Sequence, residues 1–278
     1  MTLLMEGKPA AALLRARLAE KAKKLREQKI PCGLAVLLVG DDHASIIYAD
    51  WLGKLCGSLG ISYHLAALPG ETTPKQILEL IEQLNRNPEV SGILPMMPLP
   101  HGIDPDVVVR GIDPDKDVDA LHPLNVGLVA AGKSPWAPCT PRAVMTVLDH
   151  YGIPLAGKHA VIVGRSNVVG KPLTQLLLAR DATVTICHSR TPDLSYFLRQ
   201  ADLVVAAVGK PRLITAPMIK PGAVVVDVGI NDLDGRIVGD VDFEGVSAVA
   251  SAITPVPGGI GTVSTVMVVE AVLRKWPD

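Results

Sequence analysis

The first half of the chain alternates between two spacings of apolar residues. From Ala10 to Gln28, apolar positions recur at helical spacing, with Lys and Arg filling the opposite face, which predicts an amphipathic helix. GLAVLLVG (33–40) is a continuous apolar run closed by Gly40, the pattern of a strand buried on both faces of a parallel sheet. A second amphipathic helix containing YADWLGKLC (48–56) leads to the strand ISYHLAAL (61–68). TPKQILELIEQLN (73–85) then predicts a helix opened by a Thr73 cap with Pro74 at its first position. VSGILPMM (90–97) gives a third strand and completes a βαβαβ pattern. The proline-dense PMMPLP (95–100) cannot continue a central strand and predicts a stiff loop at its carboxyl end, where open α/β sheets bind ligands.

A second alternating series begins at TPRAVMTVLDHYG (140–152). HAVIVG (159–164), ATVTICHSR (182–190), DLVVAAVG (202–209) and GAVVVDVG (222–229) read as strands. VGKPLTQLLLAR (169–180), LSYFLRQ (194–200) and the closing GTVSTVMVVEAVLRKW (261–276) read as helices. The Pro- and Gly-rich AGKSPWAPCTPR (131–142) marks the boundary between the two series. Together they predict an α/β protein of two domains.

Composition narrows the function classes. The 278 residues carry 27 basic and 28 acidic side chains, a balance that argues against nucleic acid or an anionic membrane as the main partner. Four widely spaced cysteines, Cys32, Cys56, Cys139 and Cys187, form no CxxC pair, so reduced buried thiols are expected rather than a disulfide framework or a metal site. No apolar run approaches the length of a membrane span and no leader pattern opens the chain, so a cytoplasmic protein is expected.

HAVIVGRSNVVGKP (159–172) carries the most specific local chemistry. It reads as a buried strand, a tight loop and a helix start, although Ser166 stands where a dinucleotide fingerprint has its second glycine. Gly164 permits the turn, and the helix beginning near Val169 offers unpaired N–H groups to a phosphate. The next strand ends in CHSRT, with Ser189 and Arg190 where an NAD site places a carboxylate. With Arg165, these cations suit a 2′-phosphate and favour NADP; the alternative is that both arginines are solvated surface charges.

With these pieces placed, the chain resembles the methylenetetrahydrofolate dehydrogenase/methenyltetrahydrofolate cyclohydrolase family, the bifunctional FolD type. The blocks that carry the resemblance are VGDDHASIIY, GILPMMPLP, DPDKDVDALHPLNVG, PCTP, VGRSNVVGKP, AVGKP, VVDVGIN, GDVDF and ITPVPGGIG, in order along the whole chain. The resemblance implies a folate-binding catalytic domain over 1–138, with helix 262–278 packing back on it, and a Rossmann domain over 139–261. It further implies a folate cleft between the domains, a homodimer, and oxidation of 5,10-methylenetetrahydrofolate with a nicotinamide cofactor. By the same resemblance Gly164, Arg165, Ser166, Ser189, Arg190 and Ile230 would contact NADP, and Tyr48, Leu52, Met96, Asp119, Gly258 and Gly259 would line the folate site. Asp119 would hold the pterin ring, since a carboxylate matches adjacent N–H donors.

Several positions depart from the family pattern. Leu52 stands where the family's Y-x-x-x-K motif places an amine one turn after Tyr48, and Lys54 corresponds to a second lysine on another face. Met96 replaces the glutamine that would orient that amine, Ala120 replaces the glycine after DVD, and GGIGTVST replaces a proline-bearing variant. Hydride transfer chiefly needs proximity and orientation. Hydrolysis of the methenyl cation needs general acid–base chemistry, which Leu52 and Met96 cannot perform. The sequence therefore predicts an NADP-dependent dehydrogenase with cyclohydrolase activity weak or lost. The alternatives are a fully bifunctional enzyme, a dehydrogenase for another reduced pterin, or a non-catalytic NADP- or folate-binding regulator.

Overall fold

Residues 2–134 and 136–276 are described by the computed structural model of the chain. Two compact units emerge, one of Met1–Ala12 with Leu128–Ser264, the other of Leu13–Gly127 with Thr265–Asp278. The division expected from sequence, 1–138 with 262–278 against 139–261, differs from these units at 128–138, at 262–264 and in the first twelve residues. Those residues join the later segment because the strand β1 (Leu3–Leu4) pairs with β11 (Ala252–Ile253).

In the unit of 13–127 and 265–278, a three-stranded parallel sheet runs in the order β3-β2-β4, from β2 (Gly33–Val39), β3 (Ser62–Leu68) and β4 (Gly92–Pro95). Every residue of central β2 is buried, as its unbroken apolar run requires, whereas edge strand β3 is half-exposed. The crossovers are α2 (His43–Leu59) and α3 (Pro74–Arg86). α3 opens with the Thr73 cap, which accepts from Gln76 N–H in a reciprocal capping box. Leu37 and Val39 of β2, Ile77 and Ile81 of α3 and Ile93 of β4 form the core under this sheet. The short helices α4 (Pro105–Gly111) and α5 (Pro123–Ala130) follow β4. The boundaries between the two units' residues fall within three helices, α1 (Gly7–Glu27), α5 and α10 (Ile260–Val272).

In the other unit, α6 (Cys139–His150) leads into β5 (His159–Val163), α7 (Gly170–Leu178), β6 (Thr183–Cys187), α8 (Leu194–Leu198), β7 (Leu203–Ala206) and β8 (Val224–Asp227). A small hairpin of β9 (Asn231–Leu233) and β10 (Arg236–Val238), the helix α9 (Phe243–Ser247) and β11 complete it. The six-stranded sheet is parallel throughout, in the order β1-β11-β8-β7-β5-β6. β6 lies on one side of β5 and β7 on the other, so the sheet changes its direction of growth at β5. Open α/β sheets bind ligands beyond the carboxyl ends of the strands at such a point. Among the described residues no helix is long and apolar enough to cross a membrane.

Candidate active site

At the carboxyl end of β5, Gly164 adopts φ +125°, and a Cβ there would collide with the carbonyl oxygen of Ala207. Only glycine turns the chain so close to the end of β7. Gly164 N–H donates to Cys187 O at 2.9 Å, tying the turn to β6 as well. Ser166, read from sequence as a replaced glycine, has a structural use: its Oγ accepts from Val169 N–H at 3.0 Å. The helix then begins at Gly170, one residue later than expected, with its amino end at the loop. Arg165 and Ser166 are exposed, as are Ser189 and Arg190 beyond β6. The first carboxylate after β6 is Asp193, and it is engaged in capping α8 through Tyr196 N–H. A phosphorylated ligand at this edge would meet a helix amino terminus, two solvated guanidinium groups and no competing carboxylate from the end of β6. Ile230, 67% exposed just past β8, offers an apolar surface at the same edge.

Gly258 and Gly259 follow β11. Gly258 has φ +103° and its carbonyl accepts from Gly7 N–H at 2.8 Å, while a Cβ on Gly259 would meet the Pro255 carbonyl. α10 starts at Ile260, so Thr262 already lies in its first turn, with its N–H bonded to Gly259 O.

The helix α2 carries the other group of predicted residues. Asp42 caps it by accepting from Ser45 N–H at 2.8 Å, and hydrogen bonding from the Ser45 side chain, reinforced by this N–H, holds the Asp42 carboxyl below its usual pKa range. Tyr48 is half-buried on this helix, and Leu52, one turn later, is fully buried with Ala49, Leu55 and Cys56. Lys54 is exposed and paired with Asp50 at 2.6 Å, away from the buried face. Ser45 Oγ donates to Met97 O at 3.4 Å, linking the first turn of α2 to the loop after β4. In that loop Met96 is buried and its N–H donates to Leu37 O at 2.8 Å, while Met97–Pro98 is a cis peptide.

Asp119 is half-buried in a loop fixed from several directions. Residues 116–118 extend alongside β4, with Ile93 N–H donating to Lys116 O at 2.7 Å and Val118 N–H to Ile93 O at 3.3 Å. Lys116 is 8% exposed and spends its ammonium on the carbonyls of Leu84, Asn85 and Asn87 at 3.0, 2.6 and 2.8 Å, closing the carboxyl end of α3. Burial lowers its pKa. Arg274 donates to Pro114 O and Asp117 O at 2.7 and 3.1 Å, and the buried Asp117 carboxylate accepts from His122 N–H and Asn125 Nδ2. Directly after Asp119, the buried Ala120 turns the chain at φ +51°, a conformation that costs an L-residue about 1–2 kcal/mol. His122 accepts from Leu124 N–H through Nδ1 at 3.1 Å.

Sequence reasoning assigned no role to Lys116, Arg274, Asp227 or Asp240. All but Arg274 lie inside the quoted blocks; a charge amid apolar neighbours marked Asp227 in VVDVG, whereas Lys116 in DPDKDVD reads as one more solvated charge. Among the described residues no cluster of three or more His, Cys, Asp or Glu is arranged to hold a metal ion.

Comparisons with known proteins cover both units. The family described as tetrahydrofolate dehydrogenase/cyclohydrolase matches with its catalytic domain over residues 5–119 and its NAD(P)-binding domain over residues 138–277. The Bifunctional protein FolD 2 of Desulfitobacterium hafniense is 49% identical over 99% of this chain and 96% of its own length. The crystal structure of the bifunctional enzyme FolD from Campylobacter jejuni superposes with a TM-score of 0.97 at 44% identity, covering 99% and 98% of the two chains. The Trypanosoma brucei dehydrogenase-cyclohydrolase, complexed with NADP cofactor and an inhibitor, superposes with a TM-score of 0.92 at 34% identity, covering 98% and 96%. These relatives are named for both activities, so the expectation of a weak or lost cyclohydrolase half finds no support in them. Identity of this extent across both domains means that the chain belongs to the tetrahydrofolate dehydrogenase/cyclohydrolase family.

Proposed function

We propose that the chain oxidises 5,10-methylenetetrahydrofolate with NADP⁺ and hydrolyses the methenyl product to 10-formyltetrahydrofolate. The observation that carries this reading is 49% identity, over 99% of the chain, to a relative named bifunctional. NADP⁺, when bound, accepts the hydride from the folate's methylene carbon. The chain's own part is positioning. Arg165, Ser189 and Arg190 take the 2′-phosphate, and Gly164 and Ser166 shape the loop that receives the diphosphate. Ile230 borders the cofactor, and Gly258 and Gly259 border the folate. The Asp119 carboxylate accepts from adjacent N–H donors of the pterin ring, and Tyr48 supplies a hydroxyl beside Leu52 and Met96.

A second reading, dehydrogenase activity alone, is favoured by one observation. Leu52 is fully buried, Met96 offers only a thioether, and exposed Lys54 is held by Asp50, so none of the three is placed to move a proton. The experiment is to supply methylenetetrahydrofolate and NADP⁺ and follow NADPH together with the methenyl chromophore. Decay of methenyl faster than the uncatalysed rate supports the bifunctional reading. NADPH formation with uncatalysed decay supports the second, and no NADPH formation refutes both.

A further inference from the structure

Asp240 is fully buried and lies beneath the loop that leaves β7. Its Oδ2 accepts from Val208 N–H and Gly209 N–H at 2.6 and 3.0 Å, and its Oδ1 from Lys210 N–H and Asn231 Nδ2 at 2.8 and 3.0 Å. Three successive backbone N–H groups thus converge on one carboxylate, although Gly209 and Lys210 themselves are exposed. A second buried carboxylate fixes the first. Asp227 accepts from the N–H groups of Gly229, Asp240 and Val241 at 2.9, 3.0 and 2.9 Å, and its own N–H donates to Thr254 Oγ1 at 2.7 Å. Two glycines make room for the pair: a Cβ on Gly229 would strike the Asp240 carboxyl, and one on Gly239 the Asp227 carboxyl.

This stack has no enzymatic partner of its own, and its location gives it a use. The loop it holds begins at Ala207, whose carbonyl is the atom against which the Gly164 turn packs. Asn231 follows Ile230 in sequence, so the same carboxylate also restrains the segment after β8. Without Asp240, three N–H groups and the Asn231 amide would lose their acceptor, and the loop would have to rearrange to satisfy them.

We infer that Asp240 is a positioning residue of the cofactor site, holding the 207–210 loop and the 230–231 segment where they border the dinucleotide. The inference rests on the NADP reading above. It is a role in binding one ligand, distinct from general support of the fold. An amide at this position keeps one accepting oxygen but turns an NH₂ group toward two of the four donors. Asp240→Asn should therefore weaken NADPH binding about tenfold and leave the KM for methylenetetrahydrofolate unchanged.

The test titrates NADPH fluorescence and measures both KM values on the full chain for wild type, Asp240→Asn and Leu198→Ala. Leu198 is fully buried on α8 in the apolar core and its side chain has no polar atom to bond either carboxylate, so its truncation reports the effect of lost core packing. A tenfold rise in the NADPH dissociation constant for Asp240→Asn, with Leu198→Ala within twofold of wild type, supports the inference. Equal weakening by both variants, or a folded Asp240→Asn with wild-type affinity, overturns it. If Asp240→Asn does not fold, Asn231→Ala decides, since it removes one of the four donors. A severalfold loss of NADPH affinity at unchanged folate KM supports the inference, and unchanged affinity overturns it. Wild type that binds NADPH without turning over folate refutes the proposed activity alone, whereas wild type that binds no NADPH refutes both.

Discussion

Replacing Lys116 by methionine removes one ammonium and leaves an apolar chain of similar length in its place. Three carbonyl oxygens at the carboxyl end of α3, those of Leu84, Asn85 and Asn87, then lose their donor. Hydrogen bonds to a charged group contribute about 1.5–3 kcal/mol each, and a cation at a partly buried helix carboxyl terminus up to about 2 kcal/mol. Against this stands the desolvation of the ammonium, which the methionine no longer has to bear. The net loss works out at about 2–4 kcal/mol, a large fraction of an ordinary domain's stability. Denaturant unfolding measures it as a lower midpoint. Arginine should restore less than half, because a planar fork cannot address three carbonyls grouped around one point. The same substitution loosens the start of the segment that carries Asp119, so the folate KM should rise about tenfold while NADPH affinity stays put, as a displacement worth about 1.4 kcal/mol would give. A midpoint shift worth less than about 0.5 kcal/mol, the size of an ordinary surface substitution, would refute the reasoning.

Three other perturbations test separate parts of the molecule. Leu52→Lys with Met96→Gln should raise methenyl hydrolysis, since a positioned acid–base group is worth about 10²–10⁴-fold; the single Leu52→Lys should be the less stable protein, and a double variant no faster than wild type would show that the proton is handled elsewhere. Gly164→Ala places a Cβ against the Ala207 carbonyl at a positive φ, so it should cost at least about 1–3 kcal/mol and abolish measurable NADPH binding; wild-type affinity would exclude a cofactor role for this turn. Burial pushes the Asp227 carboxyl up to about 6, above its unfolded value, so folding favours its protonated form. That contribution is complete below about pH 4 and is lost as pH rises through about 6, for a total near about 3 kcal/mol. Asp227→Asn should flatten this part of the stability–pH curve, and an unchanged slope would assign it to other groups.

The continuous apolar runs of β2, β5, β7 and β8 were legible in the sequence because strands buried on both faces tolerate little else. The Thr73 cap and Pro74 start of α3 were legible because their signal is local. β1 and β11 were not, since two residues carry no periodicity, and their pairing joins Leu3 to Ala252. The same distance problem hides the supporting charges of the site. Lys116 reaches a carbonyl 32 positions earlier, Asp240 an amide 32 positions earlier, and Arg274 a carbonyl 157 positions earlier. A charged residue that is buried looks, in sequence, the same as one that is solvated. Ser166 was read as a missing glycine, yet its hydroxyl serves the loop by capping Val169.

The bond from Arg274 to Asp117 also bears on the order in which the protein is made. A ribosome adds about 5–20 residues per second, so on the order of ten to thirty seconds separate the emergence of the Asp119 loop from that of the arginine that pins it. Over that interval the loop depends on Lys116 and on Asn85, which donates to Gly111 O and accepts from Asp113 N–H. The first strand waits even longer, because Leu3 N–H has no Ser251 carbonyl to bind until most of the chain exists. The nascent protein thus finishes the two ends of its sequence last, and a chain that stalls before α10 is complete holds the Asp119 loop on an unfinished support.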